Sequence, residues 1–112
     1  RVRKKEIVKP EEKEAEELLN VSRKSIDEID NQIFDLISQR TAFARDIASC
    51  KEYLEMPIFD ESREKVVHTK VRGLAEEKGL DVDIINQIVD MLTILNKNAQ
   101  NEIIRRNVDG KY

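Results

Sequence analysis

The sequence contains few of the residues that interrupt helices or cross-link a chain. Its 112 residues include three glycines, two prolines, one cysteine and no tryptophan, and aromatic residues make up 4%. A sandwich or barrel built from many turns would need more glycine and proline. A single cysteine excludes an intrachain disulfide. The composition therefore favours long helices, and a charged fraction of 38% suits helices that are exposed to solvent.

Charge and hydropathy argue against two classes of partner. The net charge of −3 provides no general attraction for nucleic acid, and two tyrosines and three phenylalanines are too few for a base-stacking platform. No apolar run approaches the roughly 20 residues that span a membrane, and no signal-peptide pattern opens the chain. We therefore expect a cytoplasmic, soluble protein with no nucleic-acid partner and no membrane partner.

One long apolar pattern predicts a long first helix. Apolar residues recur at steps of three and four without a proline or glycine, so the helix should run to about Tyr53 and measure roughly 50 Å or more. Such a helix is too long to pack only against its own chain, which predicts a partner helix from a second subunit. Cys50 is expected to be a small buried thiol in this pattern. The apolar stripe consists of Ile26, Ile29, Ile33, Leu36, Phe43, Ile47, Cys50 and Leu54.

Turn and capping residues predict two shorter helices after the first. Pro57 interrupts the pattern, and Asp60 can cap a second helix that ends at Gly79. Asp81 can then cap a third helix. The residues expected to point inward are Val67, Val71 and Leu74 on the second helix and Ile85, Val89, Leu92 and Ile103 on the third. The fold class predicted from these patterns is all-α, with one long and two shorter helices.

Polar side chains occupy positions where apolar ones are expected. Arg40 falls in the stripe of the first helix, and Asn96 and Gln100 interrupt the stripe of the third. Each alone has a structural explanation, because an arginine can reach solvent and an asparagine can specify helix register. Arg40 and Lys51, however, differ by only about 20° around the helix and lie roughly 16 Å apart along it, so both can reach one small molecule. Burying unpaired cations costs several kcal/mol, and an anionic ligand would relieve that cost.

The spacing of these residues resembles that of the all-helical chorismate mutase family. The matching segments run from "SRKSIDEID" through "SQR", "SCK", "PIFDESRE" and "GLD" to "NKNAQ". One departure is Asn96, where a serine is common in the family, although asparagine can also donate a hydrogen bond. The resemblance covers about residues 18–106. It predicts a chorismate mutase domain there, with a charged extension that includes the start of the first helix over 1–17 and a tail over 107–112.

The resemblance implies an enzyme that rearranges chorismate to prephenate in phenylalanine and tyrosine biosynthesis. The expected fold is an intertwined helical homodimer, and the pericyclic reaction has no covalent intermediate, no metal and no cofactor. The sequence agrees, because it contains no nucleophile and base pair, no metal-ligand cluster and no phosphate-binding loop. The substrate-binding residues implied by the family are Arg23, Arg40, Lys51, Asp60, Arg63, Glu64, Asn96 and Gln100, of which Arg40, Lys51, Glu64 and Gln100 are expected to be catalytic.

The family also implies a role for each of these residues. Arg40 and Arg23 are expected to bind the two substrate carboxylates, because arginine can bind a carboxylate through two parallel hydrogen bonds. Since Arg23 precedes Arg40 by roughly 25 Å on one straight helix, it must come from the partner's antiparallel first helix. The remaining roles are donation to the ether oxygen by Lys51 and Gln100, binding of the ring hydroxyl by Glu64 with Asp60, and support of this network by Arg63 and Asn96.

Two other functions fit parts of the pattern. Isochorismate-pyruvate lyases are similar in fold and chemistry, but the intact set of Asp60, Arg63 and Glu64 favours the mutase. A non-catalytic dimerisation or regulatory module would be expected to lose some of the interior polar residues, and here they are nearly complete. A chorismate mutase is therefore the predicted function.

Overall fold

The computed structural model describes residues 11–109, and these residues form three α-helices and no strand. Helix α1 spans Glu12–Tyr53, α2 spans Glu61–Lys78 and α3 spans Val82–Asp109. The all-α prediction and the expected end of the first helix at Tyr53 are confirmed. Within the described range no helix combines the length and the hydrophobicity that crossing a membrane requires. Most of the predicted charged extension, residues 1–10, and residues 110–112 of the predicted tail lie outside the described residues.

The described residues divide into two units, 11–40 and 41–109. The first unit is helical throughout apart from residue 11. The second contains the end of α1 together with α2 and α3.

Local hydrogen bonds explain where the two shorter helices begin and end. The carboxylate of Asp60 accepts a hydrogen bond from the backbone N–H of Arg63 at 3.0 Å, and that of Asp81 accepts one from the N–H of Ile84 at 3.1 Å. These bonds satisfy N–H groups that the first turn leaves unpaired. Gly79 ends α2 in the left-handed conformation with a φ of 70°. All three capping predictions are confirmed.

The end of α1 uses a residue that sequence patterns do not mark. Glu55 adopts a φ of 54°, which is uncommon outside glycine. Its N–H donates to the Glu52 carbonyl at 3.3 Å, and the N–H of Met56 donates to the Lys51 carbonyl at 2.8 Å. This pair of bonds is a Schellman motif. It turns the chain out of α1 one turn after Lys51.

Small side chains form most of the core of the 41–109 unit. Ala44 and Ala48 of α1 are buried, and Glu52 follows them at the same four-residue spacing. The Glu52 Oε1 accepts a hydrogen bond from Asn107 Nδ2 of α3 at 3.4 Å, so this stripe of α1 lies toward the end of α3. Ala75, Val89 and Ala99 are buried on α2 and α3. Alanines allow helices to approach closely but bury little apolar area, so this core is small.

Two burial predictions are wrong for the chain described here. Cys50 is exposed rather than buried, and Leu74 of α2 is exposed while its neighbour Ala75 is buried. On α1 the buried stripe passes through Ala44 and Ala48, so the larger side chains of the predicted stripe, including Phe43, lie on a different face. The period of the pattern was read correctly, but the face that the chain buries is the one with small residues.

In the 11–40 unit, the apolar stripe of α1 is exposed. Ile26, Ile29, Ile33 and Leu36 are between 47% and 61% exposed. Contiguous exposed apolar surface is typical of interaction surfaces in proteins. It is the surface for which the sequence predicts a partner helix.

Candidate functional site

Lys51 is held at the end of α1 by the loop that follows. Its ammonium Nζ donates a hydrogen bond to the carbonyl of Ile58 at 2.6 Å, and its own carbonyl accepts from Met56 in the helix-ending motif. An ammonium has three donors, so two remain for a ligand after the bond to Ile58. Both ends of this residue are therefore fixed by the loop between α1 and α2, which orients its charge.

The start of α2 brings three of the predicted residues together. Asp60 is the N-cap, and Arg63 donates its backbone N–H to it while its own side chain is exposed. Glu64 follows in the first turn, where its backbone N–H donates to the Asp60 carbonyl at 3.0 Å. A carboxylate is stabilised at this end of a helix by the macrodipole. The Asp60 side chain is thus already engaged in holding the helix start.

The two amides on α3 lie one turn apart on its inner side. Asn96 is half-buried, and Gln100 is only 7% exposed, next to the buried Ala99. The Gln100 Oε1 is buried and has no hydrogen-bond partner among the described residues. An unpaired polar atom of this kind costs roughly 1–3 kcal/mol, so a ligand that pairs with the amide recovers that energy. Gln100 is the most deeply buried of the predicted site residues in the 41–109 unit.

An ion pair joins α2 to α3 at this site and involves a residue that sequence reasoning missed. The Lys97 Nζ lies 3.7 Å from Glu64 Oε1 and 4.5 Å from the centre of the Phe59 ring. Lys97 follows Asn96 directly and lies three residues before Gln100, a spacing that places it near the same helix face. That spacing was the only sequence feature that pointed to Lys97 as a site residue, and it is weak because a lysine on a charged helix is usually solvent-exposed.

The two predicted arginines of α1 belong to the 11–40 unit. Arg40 is half-buried, and its Nη1 is buried without a hydrogen-bond partner in the part of the chain that the structure describes. Arg23 is exposed. Seventeen residues separate them on one helix, which is roughly 25 Å at about 1.5 Å per residue. One chain therefore does not bring Arg23 to the same small molecule as Arg40.

The predicted site residues of the 41–109 unit can bind a polar ligand without reacting with it covalently. Among the described residues, no hydrogen bond or ion pair joins the predicted side chains of Lys51, Glu64, Asn96 and Gln100 to one another. They present an ammonium, amide groups and one carboxylate, on helices rather than on mobile loops. Such an arrangement can hold a polar ligand in one conformation and stabilise negative charge that develops on it.

Comparison with known proteins gives two findings. Residues 22–106 match the family model described as chorismate mutase type II. A chorismate mutase of Methanocaldococcus jannaschii is 40% identical over 82 residues, which cover 73% of this chain and 83% of that protein. No solved structure matches the chain.

Proposed function

Because the chain belongs to the type II chorismate mutase family, we propose that the polar side chains described above form the site in which it converts chorismate to prephenate. In this Claisen rearrangement the ether C–O bond breaks while a new C–C bond forms within the same molecule. No group is transferred to the protein. The site has to hold the flexible dicarboxylate in its compact reactive conformer and stabilise the charge that grows on the ether oxygen.

The observation that carries the assignment of residues is the presence of buried polar atoms without partners. Gln100 Oε1 and Arg40 Nη1 are both in this state among the described residues. Arg40 Nη1 is a donor, so its cost is offset when a substrate carboxylate arrives. Gln100 Oε1 is an acceptor, which a ligand hydroxyl can satisfy, while the amide Nε2 of the same side chain is the group that can donate to the substrate. Chorismate has two carboxylates, an ether oxygen and a hydroxyl, which match the donors and the acceptor that these residues supply.

Lys51 and Gln100 are the donors to the ether oxygen in this proposal. The bond from Lys51 to Ile58 leaves two ammonium protons, and the amide of Gln100 is buried where a hydrogen bond is strengthened by the low local dielectric. Lys51 is held by its bond to Ile58 and Gln100 is enclosed by its burial before the substrate arrives, so little reorganisation is needed as the charge develops. These two contacts are stronger in the transition state than in the ground state, so they act mainly on kcat.

Glu64 accepts the hydrogen bond of the ring hydroxyl, and Arg40 binds a carboxylate. Glu64 makes its ion pair with Lys97 through Oε1, which leaves Oε2 to accept from the hydroxyl. Arg40 can bind a carboxylate through two parallel N–H groups. Arg63 and Asn96 support these contacts, and Asp60 holds the helix start that carries Glu64. We expect the enzyme to be cytoplasmic and to need no cofactor.

The second carboxylate is bound by Arg23 of a second copy of the chain. The separation of roughly 25 Å between Arg23 and Arg40 on α1 prevents one chain from supplying both. The exposed apolar stripe of the 11–40 unit supports this proposal, because a second α1 packed antiparallel on it would cover apolar surface and bring its own Arg23 toward Arg40. Two shared sites per homodimer follow.

The activity itself is tested by following the loss of chorismate absorbance. The product should convert to phenylpyruvate in acid, which distinguishes prephenate from the products of a lyase. Arg40→Ala should lower the activity by about 10²-fold or more, because it removes a donor from a water-excluded site. Its stability should fall little or rise, since the variant also removes a buried unpaired atom. Near-normal turnover of this variant would make Arg40 a structural residue.

Mixing of inactive variants tests the shared site. Arg23→Ala and Arg40→Ala homodimers should each be nearly inactive. When the two are unfolded together and refolded as an equal mixture, half of the dimers are mixed, and each mixed dimer has one intact site. The recovered activity should approach about a quarter of wild type for random pairing in a two-fold dimer.

A second mixture supplies the matched control. Arg40 and Lys51 come from the same chain in every site, so Arg40→Ala refolded with Lys51→Ala should recover no activity. If the Arg23→Ala and Arg40→Ala mixture also recovers none while mixed dimers are present, Arg23 does not complete the partner's site.

A further inference from the structure

We infer that Lys97 is a positioning residue for Glu64, and that the two act together on the substrate's ring hydroxyl. This inference rests on the proposed function of Glu64. Its starting point is the ion pair of 3.7 Å between Lys97 Nζ and Glu64 Oε1, which is one of the polar contacts between α2 and α3. The side chains of Lys97 and Glu64 are 38% and 27% exposed, so solvent screens this pair only in part.

Lys97 is itself held in place by a second contact. Its ammonium lies over the face of Phe59, 4.5 Å from the ring centre, within the range of a cation–π interaction. Phe59 directly precedes the helix cap Asp60. The ring and the carboxylate together restrict a side chain that is otherwise flexible, so the pair is more ordered than a surface ion pair usually is.

In this inference the two carboxylate oxygens of Glu64 have different partners, Lys97 and the substrate hydroxyl. Oε1 is taken by Lys97, and Oε2 remains to accept a hydrogen bond from the substrate hydroxyl. By attracting Oε1 at ion-pair distance, Lys97 favours one rotation of the carboxylate and therefore one direction for Oε2. Without Lys97, Glu64 could still accept the hydroxyl but would first have to be ordered.

If Lys97 has this role, replacing it should raise KM and leave kcat nearly unchanged. The hydroxyl takes no part in the bonds that break and form, so its contact with Glu64 is equally strong in the ground state and the transition state. Loss of such uniform binding raises KM and leaves kcat nearly unchanged. Lys97→Met should raise KM about tenfold with kcat within about threefold of wild type, and Lys97→Arg, which keeps both the charge and the ring contact, should restore most of the loss.

A neighbouring ion pair provides the matched control. Lys65 lies 3.7 Å from Glu61, the same separation, but their side chains are 77% and 72% exposed. Lys65→Met removes the same charge from a lysine of α2 that directly follows Glu64 in the sequence, and it should leave KM within about twofold of wild type, as expected for an exposed pair. Thermal unfolding of each variant shows that it is folded, and Lys97→Gln serves as a second variant if Lys97→Met is not.

A double-mutant cycle with Glu64→Ala completes the test. If Lys97 acts through Glu64, Lys97→Met should have no further effect on KM in the Glu64→Ala background. A KM within about twofold of wild type for Lys97→Met, or a full effect in the Glu64→Ala background, would overturn the inference while leaving the proposed role of Glu64 intact. If Glu64→Ala itself has a normal KM, the proposed role of Glu64 fails as well.

Discussion

Replacement of Gln100 by glutamate should make the activity depend strongly on pH, with higher activity in acid. An amide can donate a hydrogen bond at every pH, whereas a carboxyl group can donate to the ether oxygen only when it is protonated. Its charged form would also repel the negative charge that grows there. The position is 7% exposed, so water cannot substitute for the missing donor.

The size of the effect follows from the protonated fraction of the new side chain. With an ordinary glutamate pKa of about 4.3, only about one carboxyl group in 10³ is protonated near pH 7.3. Burial at this position raises the pKa of the introduced group and makes the loss smaller. We therefore expect a loss of about 10²–10³-fold at neutral pH, and log(kcat/KM) should rise by about one unit for each pH unit of acidification until that pKa is reached.

The assay is the initial rate of chorismate loss between pH 4.5 and 8, for wild type, Gln100→Glu and Gln100→Leu. The leucine variant has no donor at any pH, so its activity should be low without the steep rise toward acid. Thermal unfolding across the same pH range separates loss of fold from loss of activity. A Gln100→Glu profile that runs parallel to that of Gln100→Leu would refute donation from residue 100 to the ether oxygen.

The remaining predictions concern helix ends and glycines. Asp60→Ala and Asp81→Ala each remove an N-cap hydrogen bond and should each lower the free energy of unfolding by about 1 kcal/mol in denaturant titrations. Only Asp60→Ala should also reduce kcat/KM, and equal kinetics for the two would remove Asp60 from the site. Gly73→Ala should raise the stability by about 0.5–1 kcal/mol, because a Cβ there meets no heavy atom within 4 Å inside α2. Gly79→Ala should lower it by about 1 kcal/mol, since its φ of 70° disfavours a side chain; effects of the same sign would contradict this reasoning.

The helix boundaries could be predicted where they depend on local chemistry. Asp60, Gly79 and Asp81 act on backbone groups within a few residues, so their positions in the sequence are enough to locate the ends of α2 and the start of α3. The conformation of Glu55 could not be predicted in this way, because a glutamate rarely adopts a positive φ. Only the expected loss of helical pattern at Pro57 indicated that α1 ends nearby.

It was harder to predict from the sequence which residues are buried than where the helices begin and end. A period of three and four residues identifies an apolar face, but it does not say whether the chain itself or a partner covers that face. In the 41–109 unit the buried positions of α1 are Ala44 and Ala48. Alanine is less hydrophobic than phenylalanine, so the sequence pattern pointed to Phe43 as the buried residue instead. The wrong expectation for Cys50 has the same origin.

Arg40, Asn96 and Gln100 drew attention in the sequence because they interrupt apolar stripes, and the full set of candidate site residues came from the resemblance to the family. Gln100 meets that criterion and is buried, as expected. Lys97 does not meet it, because a lysine beside an apolar stripe looks like an ordinary surface residue. Its contacts with Glu64 and Phe59 come from different segments of the chain, and only the packing of α2 with α3 reveals them.

The unpaired guanidinium nitrogen of Arg40 has a consequence for how the enzyme is handled. Arg40 is half-buried, and its buried Nη1 has no acceptor among the described residues, so small dicarboxylates other than the substrate should also bind there and stabilise the protein. Citrate or malate buffers would then compete with chorismate and raise the apparent KM while increasing the melting temperature. Stability measured in such buffers would describe a partly liganded protein rather than the empty chain.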